Sequence, residues 1–192
     1  MNRFIETICI LDGMPQHMAW HQARVDQTFR LCMNYATPFS IEAVLEKQTH
    51  IPAFGKVKCT IEYGAEVFDV RTLMYEVKPI RSLKLVEIPE GFDYRFKYAD
   101  RTMIDRLFAW REEADDILMT RNSWITDTSI ANIAFLKNGR WYTPAQPLLA
   151  GTTWKRLVAS EFLIPKPIHQ RDFDIFEAWK VFNAMNDLNT GY

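Results

Sequence analysis

The sequence lacks the features that mark several classes of protein. It has no excess of positive charge, because 23 Lys and Arg residues are balanced by 24 Asp and Glu residues, and the formal net charge is −1. Proteins that bind nucleic acid draw much of their affinity from clustered positive charge, which releases counterions. This balance disfavours a nucleic-acid partner. The longest apolar runs are far too short to cross a bilayer, so we also expect no membrane segment.

Cysteine is scarce, and its spacing shows no paired pattern. Cys9, Cys32 and Cys59 are odd in number and widely separated. This spacing predicts free thiols in a reducing cytoplasmic environment rather than a disulfide framework. The first 14 residues do not resemble a secretory signal, because acidic residues interrupt their apolar run. His17 and His21 are four residues apart, but no third ligand has suitable spacing, so we expect no metal site.

The rest of the composition is that of an ordinary folded protein. The chain has 192 residues, of which 48% are hydrophobic, 24% charged and 14% aromatic. These proportions exclude disordered, collagen-like and coiled-coil classes. The length allows one large domain or two smaller lobes. Pro89-Glu90-Gly91 resembles a linker, so we expect lobes at residues 1–90 and 91–192.

The first lobe is expected to mix strands and helices. A short strand is expected over 4–11, and apolar spacing predicts a helix over about 20–33. Ser40 is suited to cap a second helix. Residues 57–63 alternate strictly between apolar and polar, which is typical of a half-buried strand. The remaining strands expected in this lobe are 67–70, 72–77 and 83–88.

The second lobe has a similar mixture. An apolar helix face is expected over 103–110, and Asn138-Gly139 predicts a tight hairpin. Another helix should begin at Gly151. The expected strands are 117–120, 124–126, 131–136, 141–143 and 179–182, with a short helix at 173–177. The whole pattern predicts an α/β or α+β fold in two lobes.

Two basic residues are candidates for chemistry, and each has an ordinary structural alternative. Lys97 lies between aromatic residues, and a lysine in an apolar wall loses its charge more easily and becomes a nucleophile or base. The alternative is a solvated surface lysine. Arg24 lies on the first helix and is suited to clamp a phosphate through two hydrogen bonds. The alternative is an exposed helical arginine.

Two further segments carry polar groups that suit a phosphate or a ring nitrogen. Asp127 lies between two predicted strands, where it either forms a turn or directs a carboxylate into a cleft. Gly151-Thr152-Thr153 lies at a predicted helix start. There the free N–H groups, two hydroxyls and the helix dipole suit a phosphate, and the alternative is a simple helix cap.

Taken in chain order, these features resemble the class IV aminotransferases, also called the fold-type IV pyridoxal-phosphate enzymes. This group includes aminodeoxychorismate lyase and the branched-chain and D-amino-acid aminotransferases. Residues 4–7, 12–13 and 21–25 are similar to the "FET…DG…HLxRL" segment of the family. Residues 96–101 resemble its "hydrophobic-Lys-Thr-Leu-Asn" segment. These two matches contain Arg24 and Lys97.

The resemblance continues to the end of the chain in the correct order. Residues 116–133 look like the "DEALLL…VTEGSxSNIF" segment, and 141–144 match "LYTP". Residues 151–153 fall where the family has Gly-Ile-Thr in its phosphate loop. Residues 181–185 are similar to "CNALM" of the lyase branch. The shared order is more specific than any single segment.

The resemblance implies a fold, a cofactor and a set of roles. The fold would have a small N-terminal α/β lobe and a larger, barrel-like C-terminal lobe, and the cofactor would be pyridoxal 5′-phosphate. Lys97 would form the Schiff base and then move the proton at the substrate α-carbon. Asp127 would keep the ring nitrogen protonated, and Arg24 would hold the phosphate. The other cofactor-binding residues implied by the resemblance are Ser129, Asn132, Thr152, Thr153, Asn183 and Ala184.

Several positions depart from the family pattern. Asp127 replaces the usual glutamate, Thr128 replaces a glycine, and Tyr63 stands where many members have an arginine. The family usually has a leading "DRGxxxGDG" segment, whereas this chain begins almost at Phe4, so part of the substrate wall is expected to be either missing or supplied otherwise.

The resemblance leaves three functions open. Asn183-Ala184-Met185 and the missing arginine favour a lyase that converts 4-amino-4-deoxychorismate to 4-aminobenzoate and pyruvate. The alternatives are a branched-chain or D-amino-acid aminotransferase and an inactive homologue that binds the cofactor. The resemblance also implies a small amino substrate and a homodimer.

Overall fold

The computed structural model of the protein describes residues 2–188. The chain forms two compact units. Of the described residues, the N-terminal unit contains 2–77 and Phe96–Asp100, and the C-terminal unit contains Lys78–Arg95 and 101–188. This division differs from the boundary after residue 90 that the sequence suggested. No helix within residues 2–188 is long and apolar enough to span a membrane.

The N-terminal unit is built on a four-stranded antiparallel sheet of order β2-β1-β3-β4. Its strands are β1 (Phe4–Leu11), β2 (Met14–Pro15), β3 (Lys56–Tyr63) and β4 (Val67–Met74). The alternation predicted for β3 is confirmed, since every second residue from Val57 to Tyr63 is buried. One continuous strand, β4, replaces the two short strands expected there, because it pairs with β3 along almost its whole length.

Two helices belong to the N-terminal unit, α1 (Met18–Thr28) and α2 (Ile41–Glu46). The helix expected over 20–33 is therefore α1 followed by a π-helical turn, Phe29–Met33. The cap predicted at Ser40 is confirmed, because its hydroxyl accepts a hydrogen bond of 3.0 Å from the Ala43 N–H. Such a cap satisfies one of the amide groups that a helix start leaves unpaired.

Aromatic rings fill the core of the N-terminal unit around Phe4, which is completely buried. The Phe4 ring lies 5.8 Å from the ring of Tyr63, and Tyr63 stacks on Phe29 at 6.0 Å. Aliphatic side chains from both helices and from β1 and β3 surround these rings. Tyr63, which stands where many family members have arginine, is thus a core residue.

Up to residue 188, the C-terminal unit contains two α-helices, α3 (Thr102–Phe108) and α4 (Thr152–Ala159), and seven strands in two sheets. The first sheet has the order β5-β6-β7, with β5 (Leu83–Glu87), β6 (Asp116–Arg121) and β7 (Trp124–Thr128). The second has the order β10-β9-β8-β11, with β8 (Asn132–Lys137), β9 (Arg140–Pro144), β10 (Leu163–Lys166) and β11 (Ala178–Phe182). Both sheets are open, so the hydrogen bonds within residues 2–188 do not close a barrel.

Three local features compare directly with the sequence-based expectations. β5 does not complete the first lobe as expected, because it pairs in parallel with β6. The hairpin at Asn138-Gly139 is confirmed, and both residues have the positive φ that a type I′ turn requires. β10 was not expected from the sequence. It is a four-residue edge strand containing Pro165, and such a strand has almost no sequence signal.

The central position of Phe4 makes a testable prediction about stability. The substitution Phe4→Ala should lower the free energy of unfolding by about 3–5 kcal/mol, because it leaves a cavity among packed rings. Phe54 is 82% exposed and serves as a matched control. The substitution Phe54→Ala should change the free energy of unfolding by less than about 0.5 kcal/mol. Urea denaturation measures both, and equal losses would contradict this description of the core.

Candidate active site

The backbone around Lys97 is fixed to the edge of β1. The Ile5 N–H donates a hydrogen bond of 2.9 Å to the Lys97 carbonyl, and the Ala99 N–H donates one of 2.8 Å to the Arg3 carbonyl. Residues 96–99 therefore extend the N-terminal sheet beside the first residues of β1, although β3 to β5 intervene in the sequence. This pairing places Lys97 in the N-terminal unit.

Lys97 occupies the apex of a tight turn between two anchored rings. The Tyr98 N–H donates a hydrogen bond of 2.9 Å to the Phe96 carbonyl. Because Lys97 does not have a positive φ, this bond defines an inverse γ-turn. The rings of Phe96 and Tyr98 lie 6.4 and 5.2 Å from the Phe4 ring. The aromatic neighbours noted in the sequence thus hold the backbone, and Lys97 itself is half-buried.

Arg24 is buried in an ion pair with Glu6. Its Nε and Nη2 atoms each donate a hydrogen bond of 2.6 Å to one carboxylate oxygen of Glu6. His21 Nδ1 lies 2.7 Å from Glu6 Oε2. We call these three residues the Glu6 cluster. Arg24 is only 7% exposed, so the alternative of an exposed helical arginine is wrong.

The Glu6 cluster holds a carboxylate in its charged form inside the protein. Burial alone raises the pKa of Glu6, but the charge of Arg24 and hydrogen bonds with His21 and Arg24 outweigh it and lower the pKa to about 2. The negative charge of Glu6 compensates the positive charge of Arg24. Because the contacts of Arg24 described here are with Glu6, its role as a phosphate ligand stays a prediction.

Sequence reasoning did not assign a role to Glu6, although a signal was present. Glu6 lies between Phe4 and Ile8 on the inward face of β1, where side chains of alternate residues point to the same side. His21 and Arg24 are three residues apart on α1 and share a helix face. A buried acid opposite two basic groups could have been proposed from these two periodicities together.

The C-terminal unit contains a second buried carboxylate, Asp127, which lies within β7 and is 5% exposed. The alternative that Asp127 forms a turn is therefore wrong. Its Oδ1 accepts a hydrogen bond of 2.7 Å from Asn132 Nδ2, and its Oδ2 accepts one of 2.8 Å from the Leu149 N–H. Asn132 Nδ2 also donates to the Leu149 carbonyl at 2.9 Å. We call this closed set of three residues the Asp127 triangle.

Asp127 differs from Glu6, because none of the residues described by the structure places a cation beside it. Burial raises the pKa of Asp127 to about 7, and hydrogen bonds from Leu149, Asn132 and Leu148 lower it only in part. No charged side chain of the described residues contributes to this pKa. Each carboxylate oxygen can accept two hydrogen bonds, so Asp127 has acceptor capacity left for a positively charged donor.

The start of α4 lies directly after the Asp127 triangle. Gly151 caps this helix without a side-chain hydrogen bond, and Thr152 and Thr153 are buried in its first turn. The first N–H groups of a helix have no acceptor within the helix, and the helix dipole makes this end positive. The arrangement suits an anion such as phosphate.

Ser129 lies in the turn that joins β7 to β8, and its backbone is held from two sides. The Ser129 N–H donates to Asp116 Oδ1 at 3.4 Å, and its carbonyl accepts a bond of 2.9 Å from Arg101 Nη2. The second oxygen of Asp116 is buried without a hydrogen-bond partner. Neither Arg101 nor Asp116 was singled out from the sequence.

Asn183 and Ala184 lie in a turn after β11. The Asn183 side-chain oxygen accepts hydrogen bonds from the N–H groups of Met185 and Asn186, at 2.9 and 3.0 Å. Its Nδ2 donates to the Ile130 carbonyl at 3.2 Å. The structure thus shows Asn183 organising this turn, and cofactor binding by Asn183 and Ala184 stays a prediction.

The C-terminal residues fit a phosphate-bearing heteroaromatic cofactor in two respects. A protonated ring nitrogen would give Asp127 the cation that it lacks, and the start of α4 would give a phosphate its N–H donors.

Comparison with known proteins gives the family. Residues 3–182 match the family model described as amino-transferase class IV. A protein of Haemophilus influenzae (strain Rd), itself uncharacterized, is 33% identical over 190 residues, which is 98% of this chain and 100% of that protein. The chain belongs to the class IV aminotransferases. The family consists of pyridoxal-phosphate-dependent aminotransferases and lyases, so this class IV protein is an enzyme of that kind.

Solved structures share the fold of this class IV enzyme. A proposed 4-amino-4-deoxychorismate lyase of Haemophilus somnus 129PT matches with a TM-score of 0.90 and 30% identity, over 98% of each chain. A proposed amino-acid aminotransferase of Mesorhizobium loti matches with a TM-score of 0.77 and 17% identity, over 97% of each chain. A hypothetical aminotransferase of Mycobacterium tuberculosis in its PLP-bound form matches with a TM-score of 0.72 and 14% identity. That match covers 97% of this chain and 78% of the other. The fold class and family predicted from the sequence are thus confirmed.

The buried state of Asp127 predicts a specific pH dependence of stability. The carboxyl has a pKa near 4 in the unfolded chain and about 7 in the folded protein without cofactor. Folding therefore favours the protonated carboxyl. Its contribution to the free energy of unfolding is fully present below pH 4 and is lost as the pH rises through 7. The stability of wild type relative to Asp127→Asn should fall by about 4 kcal/mol between pH 4 and pH 8.

Urea denaturation of both apo-proteins across this pH range measures the difference. Asparagine has the same shape as aspartate, but its NH2 group would face the Leu149 N–H and cannot accept a hydrogen bond from it. The stability lost with this hydrogen bond does not depend on pH. A stability difference that stays constant from pH 4 to pH 8 would mean that Asp127 is not buried as an uncompensated acid.

Proposed function

We propose that this class IV enzyme binds pyridoxal 5′-phosphate, with Lys97 as the amine that condenses with its aldehyde and Asp127 as the partner of its ring nitrogen. The observation that carries the proposal is the Asp127 triangle. It holds a fully buried carboxylate by both oxygens and provides no cation for it. When bound, the cofactor withdraws electrons from the α-carbon of an amino substrate.

The chain would act on this cofactor through a few groups. Asp127 would keep the ring nitrogen protonated. The first N–H groups of α4, with Thr152 and Thr153, would hold the phosphate, and Arg24 is expected to contribute there too. Once an amino substrate displaces it, the Lys97 amine would carry the proton to and from the substrate α-carbon.

We further propose that the reaction is that of a 4-amino-4-deoxychorismate lyase, which releases 4-aminobenzoate and pyruvate. The match to the proposed lyase of H. somnus supports it. Tyr63, a core residue, stands where many family members have an arginine that could bind a substrate carboxylate, and the absence of that arginine is taken as further support. The sequence Asn183-Ala184-Met185 also resembles the lyase branch.

The alternative is an amino acid aminotransferase that uses the same residues with a keto-acid acceptor. The family model and the fold match to the M. loti protein favour this alternative. An inactive homologue that only binds the cofactor is the remaining candidate.

A homodimer is proposed from the family resemblance. Large apolar side chains of the N-terminal unit are exposed to solvent and offer a surface for a second copy. These side chains include Met14, Leu31, Leu73 and Met74.

The role of Lys97 predicts a spectroscopic result. Wild-type protein mixed with pyridoxal phosphate should show a visible absorption band of protein-linked cofactor, and Lys97→Ala should not, because the linkage needs the Lys97 amine. Lys84 is exposed and forms an ion pair with the surface residue Glu112, so Lys84→Ala is a matched control that should keep the band. A band in Lys97→Ala that resists dialysis would contradict the assignment.

The proposed reaction predicts which products appear. Wild-type enzyme should release pyruvate and 4-aminobenzoate from 4-amino-4-deoxychorismate, and Lys97→Ala should lose at least about 10³-fold in kcat through loss of the base. Transfer of an amino group to 2-oxoglutarate without pyruvate release would reject the lyase in favour of the aminotransferase. A bound cofactor whose spectrum is unchanged by any amino compound would favour the inactive homologue.

A further inference from the structure

Asn132 has used both of its side-chain N–H groups within the protein. It is the first residue of β8 and is 6% exposed. One N–H donates to Asp127 Oδ1 at 2.7 Å and the other to the Leu149 carbonyl at 2.9 Å. An asparagine amide has only two such donors. Asn132 therefore has no donor left for a cofactor, although the family resemblance implied that it binds one.

The Asp127 triangle joins two separate parts of the C-terminal unit. Asp127 belongs to β7, whereas Leu149 lies in the loop that leads into α4. The Leu149 N–H binds one oxygen of Asp127, and its carbonyl binds the amide that holds the other oxygen. Rotation of the carboxylate would break at least one of these bonds, so the triangle fixes its orientation.

Gly151 shows that the position of Asn132 is built into the start of α4. A Cβ atom at residue 151 would lie 2.5 Å from Asn132 Oδ1, and among the described residues outside the adjoining chain Asn132 is the one that comes within 4 Å of that position. The backbone of Gly151 has φ −62° and ψ 159°, which any residue can adopt. The contact with Asn132, and not the backbone conformation, is what requires glycine at this position.

We propose that Asn132 is a positioning residue whose side-chain amide orients the Asp127 carboxylate toward the ring nitrogen. The same amide connects Asp127 to the phosphate-binding start of α4. Gly151 leaves the space that this amide occupies. This inference rests on the proposed function. In this inference, Asn132 binds Asp127 and not the cofactor, and Gly151 acts by making room for the Asn132 side chain.

The experiment measures the Asp127 carboxyl directly, in protein without cofactor. NMR titration of ¹³C-labelled aspartate gives the pH midpoint of Asp127 in wild type, Asn132→Ala, Gly151→Ala and the double variant. Loss of a hydrogen bond to the charged form should raise the midpoint by about one pH unit in each single variant. Gly151→Ala keeps the amide but displaces it, so it tests the position of Asn132 without removing its side chain.

The double variant tests whether Gly151 acts through Asn132. If it does, adding Gly151→Ala to Asn132→Ala should shift the midpoint no further. Asn2 is exposed and belongs to the N-terminal unit, so Asn2→Ala should leave the midpoint unchanged. An unchanged midpoint in Asn132→Ala, or additive shifts in the double variant, would overturn the inference.

A binding measurement separates this inference from the proposed function. The dissociation constant of pyridoxal phosphate should rise about tenfold in both single variants, consistent with loss of one hydrogen bond to a charged group. If wild type does not bind the cofactor, the proposed function fails, whatever the titration shows. If wild type binds it and both variants bind equally well with an unshifted midpoint, only the positioning role fails.

Discussion

The hydrogen bonds that fix the Asp127 carboxylate are the interaction on which the proposed chemistry depends. A carboxylate in a protein interior is costly unless it is paired, hydrogen-bonded or protonated. Asp127 has hydrogen bonds from Asn132 and Leu149 but no cation among the described residues. The site is thus organised for a negative charge that the protein alone does not stabilise fully. A cationic ligand would complete it.

Glu6 and Asp127 are both buried acids, but their surroundings shift their pKa values in opposite directions. Glu6 has Arg24 and His21 beside it, and its pKa falls to about 2. Asp127 has neutral donors only, and its pKa rises to about 7. The charges of Glu6 and Arg24 compensate each other, whereas no charged side chain of residues 2–188 offsets the charge of Asp127. Perturbed acids of the second kind are typical of functional sites.

Much of the fold followed from local patterns. The alternation in β3, the Ser40 cap and the Asn138-Gly139 hairpin were all predicted correctly, because each depends on residues close together in the sequence. β5 was wrongly assigned to the first lobe, and no strand was predicted where β10 lies. Both strands are defined by parallel pairing with distant partners, and no local pattern encodes such a partner.

The candidate site was predicted at the level of residue types but not of contacts. Asp127 and the start of α4 were candidates from the local sequence, and Asn132 was identified through the family resemblance. The structure joins Asp127 and Asn132 through the backbone of Leu149, which lies just before α4. The two donors of Asn132 to Asp127 and Leu149 could not be predicted, because a backbone carbonyl leaves no mark in the sequence. The pair of Arg24 and Glu6, eighteen residues apart, was missed for another reason, because its signal lay only in the combined periodicities of β1 and α1.

The pairing of residues 96–99 with β1 has a consequence for synthesis of the chain on the ribosome. The first 77 residues contain the whole four-stranded sheet, yet the Ile5 N–H and the Arg3 carbonyl find their partners only at Lys97 and Ala99. A nascent chain of 77 residues therefore has an incomplete sheet edge beside Phe4. The N-terminal unit can finish folding only after residue 100 has left the exit tunnel, when part of the C-terminal unit has already been translated.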